Sequence, residues 1–154
     1  MNTVSCALAV LTLTISIGGV ALAEEGEQTV PCKKLPIAVM KAFSKSYPKA
    51  TIKNCSREVE DGKVSYEVAS KEKAIGRDVL YDAKGNVIVV EETMAMSEAP
   101  EPVQQAFNKK FSKAEIILAE RLLRGTSVNY EFQIKLKGRI REVVFDSAGN
   151  EIEP

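Results

Sequence analysis

Apolar residues recur at helical spacing early in the chain and at every second position soon after. Leu35, Val39, Ala42 and Phe43 line one face of a predicted helix, with Lys41, Ser44 and Lys45 on the other. Pro36 suits its first turn and Pro48 stops it. Beyond the helix, Val64, Tyr66 and Val68 alternate with Ser65, Glu67 and Ala69, the period of a strand with one buried face. Four strands are predicted, over 51–60, 63–71, 76–81 and 86–92. Asp61-Gly62 and the run from Asp82 to Asn86 supply the turns between them.

The same pattern is then written again. At a constant offset of 64 residues, Val39, Ala42 and Phe43 become Val103, Ala106 and Phe107, Tyr66 and Glu67 become Tyr130 and Glu131, and the turn from Asp82 becomes the turn from Asp146. Residues 35–90 and 99–154 share 20 identities in 56 positions without a gap, which marks a tandem duplication. The expected fold is α+β, two tandem units, each one helix packed on a four-stranded antiparallel sheet whose other face stays polar and open. The expected boundaries are a linker over 24–34, a first unit over 35–92, a linker over 93–98 and a second unit over 99–154.

Residues 1–23 follow a different pattern. The apolar run from Val4 to Val20 ends in Ala21-Leu22-Ala23 before a polar, acidic stretch, which reads as a cleaved signal peptide. No Lys or Arg precedes it, so an uncleaved anchor is the alternative. With no second apolar run of spanning length, the expectation is a periplasmic or secreted protein without stable membrane insertion after cleavage. Cys6 belongs to the discarded segment.

Export changes the meaning of Cys32 and Cys55, which in an oxidising compartment form a disulfide candidate. Their counterparts in the second unit are Met96 and Ala119, so both thiols are absent together, as for a touching pair. Two unpaired, packed thiols remain the alternative. Cys55 shares strand parity with Arg57, so a bond formed under the helix requires a bulge near Asn54.

Charge and composition narrow the chemistry. Lys plus Arg equals Asp plus Glu at 21 each, which gives no electrostatic case for nucleic acid or an anionic membrane. There is no histidine, so the usual triads and zinc sites cannot be built. No nucleophile elbow or phosphate loop occurs, and the Asp-x-x-Gly-Asn turns lack the alternating oxygen ligands of a calcium loop. No catalytic, cofactor or metal residues are assigned, and a non-enzymatic protein is expected. Strand parity sets Arg57 and Glu67, with their copies Arg121 and Glu131, outward on neighbouring strands. They are either cross-strand ion pairs or part of a binding face.

Taken together, the helix written LP-x-AV-x-x-AF-x-K-x-YP-x-A-x-I, the Tyr66-Glu67-Val68 strand and the Asp-Ala-x-Gly-Asn turn resemble the PepSY-like domains grouped with beta-lactamase-inhibitor-like proteins. The resemblance covers both units. It implies a small exported protein of tandem helix-plus-sheet units, related in fold to an inhibitor whose concave sheet grips its enzyme. The second unit departs from the pattern at Ser112, where Pro is expected, and opens with Ala99-Pro100-Glu101-Pro102. The functional expectation is a protein-binding module that engages another exported protein, such as a peptidase that it inhibits or regulates. The alternative is an envelope small-ligand or sensing domain, with a pocket near residues 93–98 lined by Met94 and Met96.

Overall fold

The computed structural model describes residues 26–153, so the signal segment lies outside the described residues. The chain forms β1 (Gly26–Thr29), α1 (Ile37–Ser46), β2 (Thr51–Glu60), β3 (Lys63–Glu72), β4 (Ile75–Tyr81) and β5 (Val87–Thr93). It continues with α2 (Glu101–Phe111), β6 (Glu115–Arg124), β7 (Ser127–Leu136), β8 (Arg139–Asp146) and β9 (Glu151–Ile152). All nine strands join one antiparallel sheet in chain order.

This corrects the expectation of two four-stranded sheets. Val90 to Thr93 of β5 pair with Glu120 to Leu123 of β6, so the halves merge along a shared seam. Main-chain groups left unpaired at the two inner edges would be costly, and the seam satisfies them. The expected N-terminal linker is also structured: β1 pairs with β2, and Cys32–Lys34 form a 3-10 turn leading to α1.

Both helices lie on one side of the sheet. Val39 and Phe43 of α1 pack with Cys55, Val68, Val79 and Tyr81, while Val103, Phe107 and Phe111 of α2 pack with Phe132, Ile134, Val143 and Phe145. The registers Val68–Val79–Val90–Leu123 and Arg77–Glu92–Arg121–Tyr130 carry one face across both halves. In the second core Phe107, Phe132 and Phe145 pack their rings 4.8–6.4 Å apart.

Two bulges set which residues face the helices. The ladder slips between Ile52 and Asn54 in β2, and at the equivalent place, Ile116 to Leu118, in β6. The extra residue lets Ile52 and Cys55 both pack beneath α1, although simple alternation would oppose them. Cys32 and Cys55 are bonded, with Cα atoms 5.2 Å apart, and Val30 donates to the Cys55 carbonyl at 2.9 Å.

The two Asp-x-x-Gly-Asn turns are closed units. Asp82 Oδ1 accepts from the amides of Lys84 and Asn86 at 2.8 and 2.9 Å, and Asn86 Nδ2 donates to its Oδ2 at 2.7 Å. Asp146 repeats this with Ala148 and Asn150. Gly85, at φ 83°, lies against the first turn of α1, where a Cβ would meet the Ala38 carbonyl oxygen at 2.6 Å. Glycine is therefore required by conformation and by space together.

Candidate functional site

The sheet face away from the helices carries the unspent chemistry. Glu67 lies on it, opposite Ser56 and Leu80, and Glu131 lies on it opposite Glu120 and Val144. The expectation for Arg57 and Arg121 is corrected: they pair with Tyr66 and Tyr130 on the helix side. The bulges are the reason. Shifting parity to bring Cys55 and Ala119 under the helices carries the arginines two positions on to the same side.

Arg121 there serves the seam. Its Nη2 donates to Glu92 Oε2 at 2.6 Å, while Arg77 Nε donates to Glu92 Oε1 at 2.7 Å. Glu92 thus joins β4 to β6 through one carboxylate. Both arginines hold its pKa below the ordinary range against the opposing effect of burial. The Arg77 guanidinium also lies 4.3 Å above the Tyr47 ring, and Arg141 sits over Phe111 at 4.8 Å in the second half.

The open face is acidic. Glu58, Glu67, Asp78 and Glu91 run across β2 to β5, and Glu120, Glu131 and Glu142 continue across β6 to β8. No element of the described residues lies over this face, yet Glu120 is 4% exposed, and Val89, Glu131 and Val144 are buried. A cavity of about 170 Å³ opens there, lined by Glu58, Glu67, Asp78, Leu80, Val89 and Glu91, with Gly26, Glu27, Glu60 and Arg124 around it.

Carboxylates stripped of water and crowded together resist ionisation. Burial, then the nearby Asp78, pushes Glu67 up to about 8. Burial, then Glu131 and Asp78, pushes Glu91 up to about 7 despite the opposing Arg124, and burial with Glu91 pushes Glu120 up to about 8. Sequence reasoning found Glu67 and Glu131 but missed Asp78, Glu91 and Glu120. Alternation in β4 could have pointed to Asp78, but Glu91 and Glu120 meet the others only through the seam.

Met94 and Met96 pack against the second core. Among the described residues no three His, Cys, Asp or Glu side chains are grouped to hold a metal ion, and no helix is long and apolar enough to cross a membrane.

The family described as "Putative beta-lactamase-inhibitor-like, PepSY-like" matches residues 22–89 and again 65–153. The chain belongs to this PepSY-like family. Solved structures share the fold. One, from Bacteroides eggerthii and named among "putative periplasmic proteins", is 15% identical with a TM-score of 0.67, over 77% of this chain and 86% of its own. Another, a BLIP-like protein from Bacteroides fragilis, is 20% identical with a TM-score of 0.59, over 75% of this chain and 82% of its own. No curated protein matches the chain. PepSY-like membership thus accounts for the helix-and-meander pattern of both halves.

Proposed function

We propose that this PepSY-like protein is an exported, non-catalytic binding module that engages another extracytoplasmic protein through the open face of its sheet. The observation that carries the reading is that face: a broad surface with a cavity in it, which no element of the described residues covers, while both helices and both cores occupy the other side. Nothing in the fold requires the side without helices to hold so many carboxylates. Their mutual repulsion lowers stability, which is the usual mark of a surface shaped for a partner. The signal-like N-terminus, the disulfide and the periplasmic description of a fold relative support export. Inhibition or regulation of an enzyme such as a peptidase is the form of binding that the family resemblance suggests. Division into a first unit over 35–92 and a second over 99–154 belongs to the same reading, each contributing one end of the surface.

The test is capture of partners by the oxidised mature chain, from Glu24 onward, in envelope and secreted fractions. One saturable partner is expected, lost on the double replacement Glu67→Lys, Glu131→Lys and retained by the helix-side control Lys45→Glu. A partner lost equally with the control would place binding elsewhere, and capture of none would sink the reading.

A further inference from the structure

The molecule treats its carboxylates differently on its two sides. On the helix side Glu92 is held by two arginines, Glu72 lies 3.8 Å from Arg77, and Glu151 meets Lys110 at 2.6 Å. On the open side Glu67, Asp78 and Glu91, each partly buried, make no hydrogen bond or ion pair among the described residues, although Arg124 at the cavity edge favours the charged form of Glu91. A partly desolvated carboxylate without a donor lowers stability.

The hollow beside these groups has a particular shape and chemistry. Leu80 and Val89 form an apolar floor, and Glu67, Asp78 and Glu91 stand around it on three adjacent strands. Its volume of about 170 Å³ is enough for one long side chain, since a cavity of about 150 Å³ admits a benzene-sized group. Acids outnumber the one Arg124 in the lining, and they are not grouped as ligands around a metal. A long side chain with an apolar stem and a cationic end matches both the floor and the rim.

The hollow is not a by-product of the repeated fold. At the same offset Glu58 and Glu60 correspond to Leu122 and Arg124, and Val89 to Glu153, so the second half does not rebuild it. Arg124 instead reaches the edge of the first half's cavity across the seam.

We propose that this hollow is a socket for a lysine or arginine side chain of a bound polypeptide, its stem on Leu80 and Val89 and its charged end among Glu67, Asp78 and Glu91. The partner segment is therefore basic, and docking adds counter-charge beyond that of the Arg124 already lining the cavity. The inference rests on the open-face reading and names the chemistry that face selects.

Fluorescence anisotropy of the oxidised mature chain tests it with two labelled synthetic peptides, one alternating lysine and serine and the other identical but with every lysine acetylated. The lysine peptide should bind about tenfold or more tightly than the acetylated one, and Glu67→Gln and Glu91→Gln should each weaken it by about tenfold. Glu142→Gln, at the far end of the same face, should change affinity by no more than about twofold. The replacements at Glu67 and Glu91 conserve volume and remove repulsion, so thermal unfolding should show each of those two variants at least as stable as the parent. Equal affinity for the two peptides, or equal loss with Glu142→Gln, would overturn the socket. A captured protein partner that depends on Glu131, with no discrimination between the peptides, would overturn the socket while leaving the open face as the interface. Discrimination by the peptides without any captured protein supports the socket alone.

Discussion

Glu120 shows how a single side chain can work against the fold that holds it. It is 4% exposed, and burial with Glu91 and Asp78 nearby pushes its pKa up to about 8. Glu67 and Glu91 behave alike, at about 8 and about 7. Each holds its proton to a higher pH when folded than when unfolded. Over the range from about pH 4.5 to about 8 the native chain therefore binds more protons than the unfolded one, and stability falls as pH rises through it. Urea unfolding at pH 5.5 and pH 8 should show the higher midpoint at pH 5.5. Glu120→Gln should flatten the difference and stabilise the protein at pH 8 by about 1 kcal/mol or more. An unchanged pH profile in that variant would show that Glu120 is not among the groups responsible. Gly85 is a different case, fixed by geometry rather than charge. Ala there combines a positive φ with a Cβ 2.6 Å from the Ala38 carbonyl oxygen, and should cost about 2 kcal/mol or more. Gly62 has a similar φ but open space, so Gly62→Ala should cost only about 1 kcal/mol. Unfolding midpoints of the two variants, read side by side, separate space from conformation.

Helices and strands are largely legible in the sequence, because each is written by local periodicity. Phe43 and Phe107 sit in the cores where their stripes predicted, and Asp61-Gly62 makes the two-residue hairpin turn, with φ of 50° and 70°. Faces were less legible than elements. The bulges at Ile52–Asn54 and Ile116–Leu118 reverse side-chain parity, and nothing local announces them. Arg57 and Arg121 were therefore expected on the wrong side, while the need for a bulge was visible only through Cys55. The bond from Cys32 to Cys55 fastens the turn before α1 to the bulged strand and closes a separation of 23 residues. In a loop of that size, the double replacement Cys32→Ser, Cys55→Ser should cost about 3 kcal/mol. Reduction of the parent should lower its urea midpoint to that of the variant. A midpoint insensitive to reductant would mean that the constraint lies in the β1–β2 pairing instead.

The whole molecule is one sheet with a concentrated acidic patch. Lys41, Lys45, Lys109 and Lys110 lie exposed on the helices, while Glu58, Glu67, Asp78, Glu91, Glu120, Glu131 and Glu142 cross the opposite face, so a net charge of zero conceals that patch. The halves are held by the β5–β6 ladder and by Glu92 between Arg77 and Arg121. Arg77 is 8% exposed, and removing its closer partner leaves a buried charge with Glu72, 3.8 Å away, as its remaining ion pair, so Glu92→Ala should cost about 3 kcal/mol. Native-state hydrogen exchange should then show the amides of the β5–β6 seam losing protection first. A loss confined to the ends of the sheet would mean that the seam rests on its backbone pairing alone. The sequence by itself determined the duplication, the order of elements from α1 onward, the two core stripes, the turns and a disulfide candidate in Cys32 and Cys55, since each depends on neighbours in the chain or on one repeated offset. Only the tertiary structure decided that the two sheets are one, which side Arg57 and Arg121 take, and that Glu67, Asp78, Glu91 and Glu120 share a single hollow face. Those outcomes depend on strand register and on pairing across the seam, which join residues far apart in the chain and leave no local periodicity to read.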